Sequence, residues 1–434
     1  MCDSDTTGRS DTTWSRRRFM RHGMAFASLA ATTPLFLERS ARGIAGPEDM
    51  LTSSRPGVPE DHVLVVVQLS GGNDGLNTVV PYGDAAYHRL RPRLRVGEPG
   101  SGDGAAMALD EKLGLGLHPS MRGFKELMDK GVASVVQGVG YPNPNRSHFT
   151  SMDIWHSADP EARGTGWLGR YFDNQCSGSP GPLDAVSMGN RAPLAMMGSS
   201  IQPVSFESPD RFAWTGGEVH RDLEDPYQEI ARAGELPGTE DHPHLGFLTR
   251  TSLDAQVASD ELTRAAAGKP LVSWPRGPLA SQLRTVSAML RADLKTRVFY
   301  VSLGGFDTHA GQPGRHAQLL RQVGDSLEAF QNELTAQGDS GRVLTMVFSE
   351  FGRRVAQNAS QGTDHGTAAP MFMVGDMVRP GVLGTHPSLT DLDSGDLKFT
   401  VDFRNVYAGV LRDWMGCDPA SVLRGNWEPA RILG

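Results

Sequence analysis

Five short apolar runs along the chain predict buried β-strands. They are Val63–Leu69, Val132–Val139, Arg297–Leu303, Arg342–Phe348 and Pro370–Val374. Runs of β-branched and apolar residues of this length are typical of strands that are covered on both faces. Two further segments, Pro119–Lys130 and Pro313–Thr335, carry apolar residues at helical spacing. The pattern predicts an α/β fold with a mostly parallel central sheet flanked by helices.

Side chains that can bind metal or act as a nucleophile follow four of these strands or precede the fifth. They are Asp74, Ser147, Asp307 with His309, and Glu350 after the strands, and Asp364 with His365 before the last one. The carboxyl ends of parallel strands meet at one edge of a sheet, so these groups are expected to converge. Converging carboxylates repel each other unless a divalent cation binds between them. The set predicts one or two divalent metal ions, with Zn, Mn, Mg and Ca all open.

Ser147 lies where the second predicted strand turns into a helix. Free amide groups and the helix dipole at such a turn can hold an anion. The alternative is that Asn145 or Ser147 only caps the helix, which is a common role for these side chains.

The N-terminal 45 residues have the form of a twin-arginine export signal. Ser15-Arg16-Arg17-Arg18-Phe19-Met20-Arg21 precedes an apolar segment, Gly23–Leu37, and then Gly43-Ile44-Ala45. The apolar segment is too short for a permanent membrane span. The alternative is a disordered basic tail beside an amphipathic helix. The sequence predicts export to the periplasm or beyond, a linker at 46–60 and a main domain at 61–434.

Charge and cysteine content narrow the function classes. The chain has a net charge of −8, and residues 1–45 hold seven arginines against four acidic residues, which leaves −11 for the remainder. Nonspecific nucleic-acid binding needs clustered positive charge, so a nucleic-acid partner is not expected. The three cysteines, Cys2, Cys176 and Cys417, have no metal-site spacing. A disulfide between Cys176 and Cys417 is open.

Residues from about 175 to 285 differ from the rest of the domain. Short apolar pieces alternate there with charged helical stretches and many Pro and Gly residues. This composition predicts an insertion or cap that shapes access to the site.

The motifs together resemble the alkaline phosphatase superfamily, and within it an exported bacterial family described as a domain of unknown function. They are Leu69-Ser70-Gly71-Gly72-Asn73-Asp74-Gly75, Arg146-Ser147-His148-Phe149, Gly305-Phe306-Asp307-Thr308-His309, Ser349-Glu350-Phe351-Gly352-Arg353 and Asp364-His365-Gly366. The resemblance covers essentially the whole main domain.

The resemblance implies a role for each of these residues. Ser147 would be the nucleophile. Asp74, Asp307, His309, Glu350, Asp364 and His365 would bind metal, and Arg146, Arg353 or Arg354 would clamp a phosphate or sulfate group. Two departures from the superfamily pattern stand out. Phe351 occupies a position where the superfamily has a His ligand, and position 311 is Gly, so His309 or the more core-like His316 would replace a His four residues after Asp307.

The resemblance implies an exported metal-dependent hydrolase or transferase acting on small phosphate or sulfate esters. Phe351 and the altered spacing motivate an alternative, a metal-binding or ligand-binding envelope protein without turnover. A third hypothesis is an assembly partner of another exported protein.

Overall fold

The computed structural model describes residues 61–174, 183–199, 201, 203–208, 263–265 and 268–434. The predicted export signal, the linker and much of the predicted insertion lie outside these residues. The strands are β1 (Val63–Ser70), β2 (Val79–Val80), β3 (Met107–Asp110), β4 (Leu115–Leu117), β5 (Ala133–Gly140), β6 (Ala185–Met188), β7 (Val204–Phe206), β8 (Val298–Gly304), β9 (Val343–Phe348), β10 (Ala369–Val374), β11 (Gly381–Leu383), β12 (Leu392–Asp393), β13 (Asp396–Leu397) and β14 (Val401–Asp402).

The α-helices of the described residues are Gly75–Thr78, Ala85–Leu90, Arg122–Asp129, His148–Ser157, Trp167–Asp173, Pro278–Arg291, Gln312–Gln337, Phe403–Gly409 and Pro419–Leu423. Short 3₁₀ turns lie at Leu194–Met196 and Ser340–Arg342, and a π-helical turn lies at Val410–Trp414. Within the described ranges, no helix combines the length and the apolar character needed to cross a membrane.

A central sheet of nine strands organises the molecule, in the order β11-β5-β10-β9-β1-β8-β6-β7, with β14 also pairing with β5. β1 lies at its middle and runs parallel to β8 on one side and to β9 on the other. The registers place Ser70 opposite Gly304 and Gln68 opposite Phe348. The loops after β1, β8 and β9 therefore begin at the same edge of the sheet.

β10 runs antiparallel to both of its neighbours, β9 and β5. An antiparallel strand starts at the edge where its neighbours end. The loop before β10, which carries Asp364 and His365, therefore opens onto the same edge as the loops after β5 and β9.

Two apolar layers cover the two faces of the sheet. Val63, Val65, Val67 and Leu69 of β1 belong to one buried cluster, which also includes apolar side chains of the helices Arg122–Asp129, Pro278–Arg291 and Gln312–Gln337. Leu64 and Val66 belong to the opposite cluster, with side chains of the helices His148–Ser157, Trp167–Asp173 and Phe403–Gly409. Each fully buried aliphatic side chain of this kind stabilises the fold by about 1.5–3 kcal/mol.

The predicted α/β class with a mostly parallel sheet flanked by helices is confirmed. Each of the five predicted strands is present, with bounds within one residue of the prediction. The described part of the predicted insertion contributes β6 and β7 to the sheet, as well as the packed helix Pro278–Arg291. This part of the chain extends the sheet and its core, and the predicted insertion or cap stays a prediction, since most of its range lies outside the described residues.

Cys417 is buried near the C-terminus and is disulfide-bonded. Its partner lies outside the described residues, which exclude both Cys2 and Cys176.

Burial of His156 predicts loss of stability in acid. Its Nε2 lies 2.9 Å from the Tyr300 hydroxyl, and burial lowers the pKa of His156 from 6.5 to about 3. As the pH falls from 6.5 towards 3, His156 is therefore protonated in the unfolded chain and stays neutral in the folded chain. This protonation of the unfolded chain lowers the free energy of unfolding by up to about 1.4 kcal/mol per pH unit.

We expect His156→Gln to flatten the dependence of unfolding free energy on pH between pH 7 and 5, measured by urea denaturation. His88→Gln is the matched control, because His88 is a half-buried histidine on another helix. If unfolding free energy depends on pH equally steeply in His156→Gln and the wild type, His156 is not the source of the predicted loss of stability in acid.

Candidate metal centre

Two glycines at the end of β1 allow three loops to approach each other closely. Gly71 has a φ of +118°, and a Cβ there would lie 2.5 Å from the Asp307 amide nitrogen. Gly72 has a φ of +70°, and a Cβ there would lie 2.4 Å from Cε2 of Phe351. Any side chain at either position would separate the loop after β1 from the loops after β8 and β9.

The buried guanidinium of Arg353 connects these loops. Its Nε donates to the Gly72 carbonyl at 2.6 Å, and its Nη1 donates to the Thr363 carbonyl at 2.9 Å. Its Nη2 donates to Oδ1 of Asp307 at 2.7 Å, and also contacts the carbonyls of Gly71 and Phe306. Arg353 was predicted to clamp substrate, but its side chain is 0% exposed and its donors are engaged within the protein.

Three imidazole rings surround Oδ1 of Asp307. The Nε2 atoms of His309, His365 and His148 lie 3.0, 3.2 and 3.6 Å from this oxygen. His148, Asp307 and His365 each offer one donor atom, and these three atoms lie within 4.8 Å of one another. The structure thus brings together Asp307, His309 and His365, which come from two separate loops of the sheet edge, with His148.

Each ring directs its other nitrogen towards an oxygen that accepts a proton. Nδ1 of His148 lies 2.7 Å from Oε1 of Glu350, and Nδ1 of His365 lies 2.8 Å from the Arg146 carbonyl. Nδ1 of His309 lies 3.3 Å from Oδ1 of Asp364. Each Nδ1 is placed to donate to its oxygen, and each Nε2 faces the carboxylate of Asp307, so both nitrogens of a ring meet an acceptor unless a proton or a cation lies between Nε2 and Asp307.

Arg353 donates to Oδ1 of Asp307, but the described residues place no donor between the imidazole rings of His309 and His365. The Nε2 atoms of His309 and His365 are 2.9 Å apart, a distance that two lone pairs do not tolerate without a proton or a cation between them. Nε2 of His148 is buried and has no hydrogen-bond partner among the described residues. Metal-ligating histidines usually donate their second nitrogen to a carboxylate or a backbone carbonyl, as all three do here. The donor set therefore fits a divalent metal.

The electrostatics of the cluster support the same fit. Burial raises the pKa of Asp307, but hydrogen bonds from Arg353 and His365 outweigh it and hold the pKa at about 2. Asp307 is therefore a carboxylate at neutral pH. The hydrogen bond to Glu350 raises the pKa of His148, while burial lowers the pKa of His365.

Ser147 lies directly beside this cluster. It precedes His148 and follows Arg146, whose carbonyl accepts from His365. Ser147 is the N-cap residue of the helix His148–Ser157, yet its side chain makes no capping hydrogen bond. Asn145 instead accepts from the Ser147 amide at 2.8 Å. The hydroxyl of Ser147 is exposed and is not used as a helix cap.

Asp74 and Glu350 are each engaged by protein donors. Oδ2 of Asp74 accepts from Arg91 and from Gln312, both at 2.5 Å, in a site that is 0% exposed. Burial raises the pKa of Asp74, but the charge and hydrogen bond of Arg91 outweigh it, so the pKa lies below its usual value. Glu350 accepts from His148 and from the Gly71 amide at 2.9 Å. Their predicted role as metal ligands stays a prediction.

The remaining predicted residues lie around the cluster. Asp364 contacts His309 and accepts from Asn358 at 3.1 Å. The guanidinium groups of Arg146 and Arg354, which are 42% and 38% exposed, both pair with the buried carboxylate of Asp396. His316 is buried and lies 2.9 Å from Oδ1 of Asn73, away from the three-histidine cluster.

The sequence argument did not assign a role to His148. The signal was present in its position, since it follows Ser147 at the first position of a helix that begins at the sheet edge. Its neighbour Phe351 packs against it, with ring centroids 4.9 Å apart, and against His365 at 5.0 Å. Position 351 holds a phenyl ring where the superfamily has a His, and His148, from another loop, places an imidazole beside that ring.

A family model matches the chain. Residues 219–425 match the family described as "Protein of unknown function (DUF1501)". This range includes Asp307, His309 and His365 but not His148. No curated protein matches the chain.

Solved structures that are distantly similar to the chain include three bacterial proteins. A protein in the alkaline phosphatase superfamily from Vibrio parahaemolyticus has a TM-score of 0.39 and 8% identity, over 92% of this chain and 78% of that one. A sulfatase from Pseudoalteromonas sp. has a TM-score of 0.39 and 9% identity, over 95% and 77%. Alkaline phosphatase from the Antarctic bacterium TAB5 has a TM-score of 0.30 and 10% identity, over 75% and 95%. With these low values, function has to be inferred from the site of this chain.

We expect His148→Ala to weaken Zn²⁺ binding by more than roughly 100-fold, because the loss of an outer hydrogen-bond partner alone costs about 10–100-fold. Isothermal titration of the metal-stripped protein measures the effect. His88→Ala is the control, since His88 lies on another helix and contacts the Tyr82 carbonyl at 2.7 Å. Unchanged affinity in His148→Ala would exclude His148 as a ligand.

We expect Glu350→Gln to weaken Zn²⁺ binding by about 10–100-fold, since the neutral amide holds the Nδ1 proton of His148 less strongly. The same titration measures it, with the exposed Glu111→Gln as control. If both variants bind Zn²⁺ as tightly as the wild type, Glu350 does not orient a ligand.

Proposed function

We propose that this protein is an exported, metal-dependent hydrolase or transferase of phosphate or sulfate esters. The observation that carries the proposal is the convergence of three Nε2 atoms on Asp307, with the free hydroxyl of Ser147 at the adjacent position. A nucleophile beside a metal-competent cluster is the arrangement that displacement at phosphorus or sulfur requires.

The donor set favours a particular group of metals. Imidazole nitrogens suit Zn and related transition ions, whereas Mg and Ca prefer oxygen ligands. Three histidines and one carboxylate are therefore proposed to hold a Zn-like ion. When bound, such an ion supplies Lewis acidity, which stabilises negative charge and lowers the pKa of a nearby hydroxyl.

The protein's own groups account for orientation and charge. Ser147 attacks the phosphorus or sulfur atom and gives up its hydroxyl proton, while the bond to the ester oxygen breaks on the opposite side and that oxygen takes up a proton. Water or an acceptor alcohol then displaces Ser147 from the transferred group and frees its hydroxyl. Arg146 and Arg354 are the proposed contacts for the remaining substrate oxygens, because both guanidinium groups are partly exposed and are held by the same carboxylate, Asp396. Arg353 has the different role of fixing Asp307.

Export is part of the proposal. The twin-arginine pattern of residues 1–45 supports it, and so does the disulfide at Cys417, since disulfides persist mainly in oxidising compartments. A protein partner among other exported proteins remains a separate hypothesis.

A second candidate function is metal binding without turnover. The packing of Phe351 against both His148 and His365 favours it, because an apolar ring then occupies one side of the cluster. Stoichiometric metal without turnover of any ester would support this candidate.

We expect Ser147→Ala to lower the turnover of aryl phosphate monoesters, aryl phosphate diesters or aryl sulfates by about 10²-fold or more, because the nucleophile is lost. Release of the phenol is measured with the Zn²⁺-loaded mature chain. Ser281→Ala is the control, as an exposed serine in the first turns of another helix. Turnover that survives Ser147→Ala would refute the nucleophile, and a metal-free, inactive wild type would refute the function.

A further inference from the structure

The acidic and histidine residues at the sheet edge separate into two sets. The Nε2 atoms of His309, His365 and His148 lie within 3.6 Å of Oδ1 of Asp307, whose side chain is 47% exposed although Arg353 donates to it. Asp74 and Glu350, which would be the carboxylates of a second metal, are 0% and 1% exposed and are paired with protein donors.

Asp74 already has a fixed cation. Arg91 donates to its Oδ2 at 2.5 Å, and both side chains are 0% exposed. The other donors of Arg91 are engaged by the carbonyls of Val355 and Arg354, both at 2.8 Å, and by Oδ1 of Asn77 at 2.9 Å. The guanidinium is therefore held from several sides and cannot swing away without leaving these acceptors unpaired.

The second oxygen of Asp74, Oδ1, is the remaining candidate metal donor of this carboxylate. Oδ1 is buried and has no hydrogen-bond partner among the described residues. A divalent ion on this oxygen would lie close to the guanidinium on the other oxygen of the same carboxylate. Two cations at that separation repel strongly where both side chains are 0% exposed, whereas solvent screens the carboxylate of Asp307, which is 47% exposed beside Arg353.

Glu350 uses one oxygen, Oε1, to hold both His148 and the loop after β1. Its Oε1 receives the Gly71 amide at 2.9 Å and lies 2.7 Å from Nδ1 of His148. Its Oε2 lies 3.1 Å from the Ser349 hydroxyl. Glu350 therefore orients His148.

We propose that the site holds one divalent metal, on His148, Asp307, His309 and His365, and that Arg91 permanently supplies the positive charge at Asp74. The inference rests on the proposed function, since it concerns the same site. Its consequence is that Arg91 acts as a positioning residue that keeps Asp74 and the loop after β1 in place.

The number of metal ions per chain tests this inference. The mature wild-type protein is stripped of metal and titrated with Zn²⁺, and with Co²⁺ followed by its visible absorption. Bound metal is then counted by mass spectrometry. We expect one equivalent of either ion, with no further spectral change at a second equivalent. Two equivalents in the wild type would overturn the inference, and this measurement requires no variant to fold.

Matched amide variants assign the ion to its carboxylate. Asp74→Asn is expected to keep one equivalent with less than about a threefold change in affinity, and to lower the melting temperature, because Arg91 loses its counter-charge. Asp307→Asn is expected to weaken binding at least about 10-fold. Loss of an equivalent in Asp74→Asn alone would overturn the inference.

The outcomes separate this inference from the proposed function. One ion without turnover of the ester panel supports the single site and refutes the function. Two ions with turnover refute the single site and leave the function intact. A protein that binds neither Zn²⁺ nor Co²⁺ would refute both the single metal site and the proposed function.

Discussion

The buried guanidinium of Arg353 is the constraint on which the site depends. It donates to backbone carbonyls in the loops after β1 and β8 and in the loop before β10, and to the carboxylate of Asp307. Backbone hydrogen bonds also join these loops, such as that from the Thr363 amide to the Thr308 carbonyl, and Arg353 adds donors for the carbonyls of Gly72, Phe306 and Thr363. Loss of one member of such a buried charged network costs on the order of 3–5 kcal/mol. The same side chain thus stabilises the edge of the sheet and fixes the oxygen around which the histidines gather.

The direction of each imidazole is set by its outer partner. Glu350, the Arg146 carbonyl and Asp364 each accept from one Nδ1, and this leaves three Nε2 atoms facing Asp307. Two of these partners are residues that the sequence argument expected to bind metal directly. In the structure, Glu350 and Asp364 each contact an imidazole of the cluster, and direct metal binding by either carboxylate stays a prediction.

Positive charge is distributed differently on the two sides of the sheet edge. Arg91 is buried with Asp74, Arg353 is buried against Asp307, and Arg146 and Arg354 are partly open to solvent. Buried arginines neutralise carboxylates that would otherwise repel one another. Arg146 precedes the exposed Ser147 in the chain, and it shares the carboxylate of Asp396 with Arg354.

The sequence by itself determined the strands, the α/β class and the collection of acidic and histidine residues at one edge. Apolar runs report burial directly, and parallel strands must bring their ends together, so these inferences need only local pattern and chain order. The tertiary structure decided the antiparallel direction of β10, the pairing of Asp74 with Arg91 and the entry of His148 into the cluster. These depend on differences of a few ångströms between loops from distant parts of the chain, and on which donor lies within hydrogen-bond distance of each carboxylate. No periodicity in the sequence records such distances.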